Sequence, residues 1–376
     1  MYIPYGHQTI TEEDIQAVVD VLRSDYLTTG PAIGEFEQKV AAYTGAKYAV
    51  AVSNGTAALH IACLAAGIGP GDEVITTPIT FAASANCVLY CGGKPVFADI
   101  DPVTYNIDPA SIEQKITPRT KAILPVHFTG QPCEMEEIHR IAREHGLLVI
   151  EDAAHALGAA YKGQKIGSLP SDMVAFSFHP VKPITTGEGG MVVTDDGDLY
   201  ERLCLFRSHG ITRAEGLMGK QEGGWYYEQL ELGYNYRMTD IQAALGGSQL
   251  AKLDRFIGRR AFLAGRYSQA FDGLPGFACP SQLPHVQSGW HLYVLQLLDQ
   301  ERGQAFARLR EAGIGVNVHY IPVYHHPYYR KHGYQDTSCP NAERLYQNMV
   351  SLPLYPGLTE EQQDIVIEQV LGLGKP

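Results

Sequence analysis

Long hydrophobic runs are missing from this chain of 376 residues, and no apolar stretch in it is long enough to span a bilayer. The opening Met1-Tyr2-Ile3-Pro4-Tyr5-Gly6-His7 carries no signal-peptide pattern. A basic excess is missing too. The 29 Lys and Arg are outnumbered by 41 Asp and Glu, and the formal charge of −12 disfavours nucleic acid as a partner. The 7 cysteines are odd in number, scattered and without a Cys-x-x-Cys pair, which suits reduced thiols better than a disulfide framework. Internal repeats, low-complexity tracts and Pro/Gly/Ser-rich linkers are also absent. Together these absences point to a cytoplasmic globular protein with no membrane partner, and the length points to two domains.

What is present is an alternation of strand-like and helix-like segments over about the first two thirds. Strands are expected at 48–53, 73–77, 95–100, 122–128, 147–152, 174–178 and 191–194, with amphipathic stretches such as 135–145 between several of them. That pattern predicts an α/β fold with a mostly parallel central sheet covered on both faces. A long helical stretch from Thr239 to about Phe271 carries the chain out of this large domain, taken as 1–250. The remainder, 251–376, reads as a smaller α+β domain with strand-like 290–297, a helix near 304–312 and strand-like 315–320.

Three segments carry chemistry. In Ser177-Phe178-His179-Pro180-Val181-Lys182-Pro183-Ile184-Thr185-Thr186-Gly187-Glu188-Gly189-Gly190 a lone lysine sits in a glycine-punctuated turn between two apolar runs. A lysine whose neighbours lower its pKa can form an imine with a carbonyl and move protons, although a lone loop lysine is ordinarily just solvated. In Leu147-Leu148-Val149-Ile150-Glu151-Asp152-Ala153-Ala154-His155 a buried-type strand ends abruptly in two carboxylates, where open α/β sheets bind ligands. Asp152 is the better placed of the two to keep a pyridinium nitrogen protonated, and it reads equally well as a helix cap. In Ser53-Asn54-Gly55-Thr56-Ala57 a strand turns into a helix. Its free N–H groups at Gly55, Thr56 and Ala57, with the Thr56 hydroxyl, make a phosphate cradle that Ser177 could also reach, though the same residues are ordinary turn and cap formers.

A lysine that captures an aldehyde, an acidic strand end and a phosphate cradle match the three handles of pyridoxal 5'-phosphate (PLP). Here the chain resembles the DegT/DnrJ/EryC1/StrS family of PLP-dependent sugar aminotransferases. The resemblance runs nearly end to end, through Tyr26-Leu27-Thr28-Thr29-Gly30-Pro31, the cradle, the 151–155 turn, the lysine tract and Gly233-Tyr234-Asn235-Tyr236-Arg237-Met238-Thr239-Asp240. It implies PLP fold type I. By resemblance Lys182 binds the cofactor and moves the proton, Asp152 pairs with the ring nitrogen and Phe81 stacks on the ring. His155 then lies near the phenolic oxygen, Gly55, Thr56 and Ser177 hold the phosphate, and Asn235 reaches the phosphate of a partner subunit, so a homodimer with shared sites is expected. Weaker substrate contacts are Tyr5, Tyr26, Arg237, His319 and Tyr320, which in a chain of 22 tyrosines fit packing equally well.

The lysine tract looks most like the UDP-4-keto-6-deoxy-sugar 4-aminotransferases of pseudaminic acid biosynthesis. The reaction so implied takes nitrogen from glutamate, passes it through pyridoxamine phosphate and delivers it to a UDP-linked 4-keto sugar. Family members with histidine in place of the lysine are dehydratases; the lysine here favours transamination. Another nucleotide-linked keto sugar, D-configured or 3-keto, is the alternative substrate. A binder of PLP or of a sugar nucleotide that does not turn over is the alternative of another class, but it would not require the Lys182 and Asp152 pair. Other apparent signals are set aside. Asn54-Gly55-Thr56 fits a glycosylation sequon, Gly67–Asp72 only mimics a dinucleotide loop, residues 11–14 read as a helix start, and His319, His325 and His326 lack metal-site spacing, so no metal is expected.

Overall fold

The computed structural model describes residues 2–374. Seven strands form the central sheet: β1 (Tyr48–Val52), β2 (Glu73–Thr76), β3 (Lys94–Phe97), β4 (Thr120–Leu124), β5 (Leu148–Asp152), β6 (Met173–Ser177) and β7 (Gly190–Thr194). Their spatial order is β1-β7-β6-β5-β4-β2-β3, and only β7 runs antiparallel to its neighbours. All seven expected strands are present. The segments expected at 95–100 and 122–128 end sooner, because the chain past Leu124 turns at Phe128–Gly130 and past Phe97 turns through Asp101.

Burial on both faces follows from the period of two along each strand. In β1, Ala49 and Ala51 join one core with Phe36, Val40, Ile138 and Phe176, while Val50 and Val52 join the opposite core with Ala58, Ile61 and Leu203. β6 divides in the same way, with Val174 and Phe176 on one side and Met173 and Ala175 on the other. The helix Met135–His145 shows how the covering layer is specified. Met135, Ile138, Ile141 and Ala142 make its buried face, Glu136 and Glu137 sit in its first turn, Arg143 and His145 in its last, and Gly146 ends it with a φ of +65°.

The expected long helix is two. Asp240–Leu250 and Leu253–Phe271 are separated at Ala251 and Lys252, and Lys252 sends its Nζ back to Asp14 and Thr11. Beyond the break a second sheet holds Phe277–Ala278, Tyr293–Leu297 and Met349–Leu352, packed with Leu263, Tyr267, Leu309 and Val366. The expected helix near 304–312 is Arg302–Glu311. The strand expected at 315–320 does not form. Ile314 makes a single bridge to Ile3 and Asn317 another to Ser351, and the chain then leaves the sheet. The third strand is instead Met349–Leu352, which the sequence reading left out. Ile3 belongs to this second core, so the N-terminal tip packs with the C-terminal third. We propose the large and small domains as 1–250 and 251–376, on the break at Ala251 and Lys252.

Candidate active site

A cavity of about 840 Å³ opens where the C-terminal ends of β5 and β6, the start of the helix Gly55–Ala65 and the segment 317–320 meet. Tyr5, Gly55, Thr56, Phe81, Asp152, His155, Ser177, Lys182, His319 and Tyr320 all line it. Asn235, Tyr26 and Arg237 do not line the cavity of this single chain. Their segments are held by the bridges Thr28 to Thr239, Val52 to Arg237 and Ser208 to Asn235, and Tyr26 and Asn235 are exposed.

The lysine turn is closed by its own hydrogen bonds. The Lys182 N–H donates to the His179 carbonyl (2.9 Å), the Thr186 N–H to the Phe178 carbonyl (3.0 Å), and the Phe178 N–H to the Gly189 carbonyl (2.8 Å). Burial lowers the Lys182 amine to about 8, against the opposing pull of the Asp152 carboxylate. A good share of it is therefore neutral near physiological pH, the state in which an amine acts as nucleophile or base.

Asp152 is 5 % exposed. Its Oδ2 accepts from Ser84 Oγ (2.6 Å) and its Oδ1 from the Ala154 N–H (3.1 Å). Thr80 Oγ1 lies 2.7 Å from Ser84 Oγ, and since the serine hydrogen goes to Asp152, Thr80 is the donor in that pair. Ser84 is a residue the sequence reading missed; its only signal was the spacing of four from Thr80 at a helix start. The neighbouring Glu151 faces the other way. Its Oε2 accepts from His127 Nε2 at 2.6 Å inside the core, the proton being placed on that nitrogen because His127 Nδ1 accepts from the Cys133 N–H.

The anion cradle is narrower than expected. Asn54 caps the helix with its own side chain, whose Oδ1 takes the Ala57 N–H (2.8 Å), so Ala57 is removed from the set of free donors. Gly55 and Thr56, the first two helical residues, remain with N–H groups that have no acceptor within the helix. Two close approaches shape the cradle. A Cβ on Gly55 would come within 2.8 Å of Ser177 Cβ, and one on Gly190 within 2.4 Å of the Asn54 carbonyl, so glycine lets the helix start meet the ends of β6 and β7.

The far wall carries aromatic and imidazole rings. Tyr320 Oη and His155 Nε2 are 3.2 Å apart, and His155 Nδ1 is buried without a partner among the described residues. Burial, with help from Lys182, holds His155 far below the usual histidine range, so it is neutral. His319 accepts from Asn317 Nδ2 at Nε2 (3.2 Å) and so donates from Nδ1 to Ser351 Oγ (2.8 Å); burial pushes it down to about 3. Its ring lies 5.3 Å from that of Tyr5 and 4.8 Å from that of Tyr320. His325 is turned away to Glu343, so His319 and His325 do not converge. Among the described residues no group of three or more His, Cys, Asp or Glu side chains is arranged to hold a metal, and no helix is long and apolar enough to cross a membrane.

These features fit PLP. Phe81 lines the cavity and is 62 % exposed there, so its ring is open to stacking by a flat ring. The tight Gly55 to Ser177 approach leaves the Gly55 and Thr56 N–H groups and the Ser177 hydroxyl for an anion.

Comparison with known proteins agrees. Residues 8–371 match the model of the DegT/DnrJ/EryC1/StrS aminotransferase family. The spore coat polysaccharide biosynthesis protein SpsC of Bacillus subtilis is 46% identical, over 100% of this chain and 97% of that protein. Among solved structures, Helicobacter pylori PseC, an aminotransferase of pseudaminic acid biosynthesis, superposes with a TM-score of 0.93 at 34% identity, covering 99% of each chain. A Streptococcus pneumoniae sugar aminotransferase candidate in its PLP form superposes with a TM-score of 0.92 at 33% identity over 98% of each chain. A match that spans almost the whole chain, on a cavity that fits the cofactor, places this protein in the DegT/DnrJ/EryC1/StrS aminotransferase family, as a PLP-dependent sugar aminotransferase of fold type I.

Proposed function

We propose that the protein aminates C4 of the UDP-linked 4-keto sugar UDP-2-acetamido-2,6-dideoxy-β-L-arabino-hexos-4-ulose. Glutamate is the amino donor, and the product is UDP-4-amino-4,6-dideoxy-N-acetyl-β-L-altrosamine, on the route to pseudaminic acid. The observation that carries the chemistry is the Lys182 amine, lowered to about 8 and lining one cavity with Asp152. The likeness to PseC over 99% of both chains supports the choice of sugar.

Bound PLP supplies an electron sink for the negative charge that develops at the substrate carbon. Lys182 would anchor it, and the Lys182 amine would carry the proton to and from that carbon. Asp152, fixed as an acceptor by Ser84 and Ala154, keeps the ring nitrogen protonated. Gly55, Thr56 and Ser177 hold the phosphate, His155 meets the phenolic oxygen and Phe81 stacks on the ring. Tyr5, His319 and Tyr320 line the side where the sugar nucleotide enters. By the family resemblance Asn235 would reach the phosphate of a second copy, and the working unit proposed is a cytoplasmic homodimer.

SpsC, named for spore coat polysaccharide, is more identical in sequence, and this favours a second reading in which another nucleotide-linked keto sugar is aminated. Mass spectrometry of products from PLP-loaded protein, glutamate and either the L-configured 4-keto sugar or its D-configured isomer separates the two. Amination of the L-sugar that vanishes in Lys182→Ala supports the first reading, and amination of the D-isomer alone supports the second. No amination of either would sink the 4-keto-sugar assignment.

A further inference from the structure

Arg260, on the helix Leu253–Phe271, is 1 % exposed, and among the described residues no carboxylate pairs with it. Its terminal nitrogens instead meet carbonyls: Leu354 at 2.8 Å, His291 at 3.2 Å and Trp290 at 3.4 Å from Nη1, and Val181 at 3.4 Å from Nη2, while its Nε has no partner among the described residues. Burying an unpaired cation is among the costliest placements a fold can contain, and here it is tolerated only through charge-assisted bonds to backbone. The segments it joins are not neighbours in sequence. The Val181 carbonyl belongs to the peptide that leads into Lys182. Residues 289–292 lie on the loop beneath His155, through Gly289 N–H to the Gly130 carbonyl and His291 N–H to the Thr129 carbonyl, and the His291 ring is 4.4 Å from that of His155. Leu354 follows the strand Met349–Leu352 of the small sheet.

We propose that Arg260 is a positioning residue for Lys182, pinning the peptide that precedes the lysine to the loop under His155 and to the edge of the small sheet. A turn held only by its own hydrogen bonds can shift as a unit; tying its carbonyl to two further segments removes that freedom. Arg260 lines no part of the catalytic cavity, so it acts through the placement of the lysine and not by touching substrate. The proposal rests on Lys182 as the residue that anchors the cofactor.

The test compares holoenzymes of wild type, Arg260→Gln, Arg260→Lys and Leu263→Ala by thermal unfolding, by visible circular dichroism of the bound cofactor and by kcat and KM for each half-reaction. Leu263 lies one turn along the same helix, buried in the small core, and serves as a destabilised control that leaves the lysine turn alone. Arg260→Gln is expected to weaken the visible dichroism and lower kcat about 100-fold with KM little changed, since a displacement on the order of 1 Å suffices for that. Arg260→Lys, which keeps the charge and some of the donors, is expected to recover about tenfold of it. Leu263→Ala should lose melting temperature while keeping dichroism and kcat. Equal losses in Leu263→Ala, an unchanged Arg260→Gln, or failure of both Arg260 variants to fold would each overturn the proposal. Loss of the visible band in Lys182→Ala checks the underlying reading separately; a band that survives there would refute that reading instead.

Discussion

The two sides of the cavity are built in opposite ways. One side comes from strand ends and a helix start: Asp152 closes β5, Ser177 closes β6, and Gly55 and Thr56 open a helix. Its polar groups point into the cavity, and it holds the ionisable pair, Lys182 and Asp152. The other side, Tyr5 with residues 317–320, is irregular chain in which the side-chain polar atoms of Asn317, His319 and Tyr320 are engaged within the protein. His319 has both ring nitrogens engaged and titrates only near 3, so it offers a neutral ring and no proton. On the function proposed above, the first side makes and breaks bonds and the second chooses the substrate.

Substitutions on the sheet side should therefore abolish chemistry whatever the sugar. The largest effect is expected for Lys182→Ala, about 10⁴-fold or more in single-turnover rate, together with loss of the visible band of the bound cofactor. Asp152→Asn should keep the cofactor and lose about 10³-fold in kcat for both half-reactions, because the ring nitrogen gives up its proton. Ser84→Ala removes one of the two donors to Asp152 and is expected to cost about tenfold, measured in the same assay. Were Ser84→Ala to affect one substrate only, the division between the two sides would fail.

The pH dependence sharpens the same contrast. Burial lowers the folded-state Lys182 pKa to about 8, so the neutral fraction of its amine rises as pH rises through that value. The proton-transfer rate of the freed lysine should climb by about tenfold per pH unit below 8 and level off above it. His319 should add no inflection between pH 5 and 8, since it is neutral throughout that range. Stopped-flow single turnovers from about pH 5 to about pH 10 read both expectations at once.

Legibility followed the same divide. Asp152 and Ser177 were readable because a run of buried β residues that stops abruptly at a polar one is a periodicity signal, and Lys182 because it interrupts two such runs. The seven strands of the sheet were readable for the same reason. Asn54 was recognised as turn chemistry, but a sequence cannot say that its side chain takes the Ala57 N–H and narrows the cradle. Ser84 and Ser351 gave no usable signal for their roles, because their partners lie 68 and 32 residues away and the roles depend on tertiary placement. The strand expected at 315–320 failed where Ile3 and Ser351 each take only one pairing position before the chain turns into the cavity.

The smallest predicted effect tests the substrate side most finely. Ser351 does not line the cavity; it holds His319 through Nδ1, and Asn317 holds the other nitrogen, so the ring is clamped where it packs with Tyr5 and, edge-on, with Tyr320. Ser351→Ala removes one clamp and leaves the Nδ1–H buried without an acceptor. A lost buried hydrogen bond is worth about 1 kcal/mol, which corresponds to about fivefold in kcat/KM. The loss should fall on the sugar half-reaction alone, because the amino donor is served by Lys182 and Asp152, which Ser351 does not touch. An equal loss with glutamate would mean that the irregular wall supports the chemistry as well, and that the cavity works as one unit instead of two.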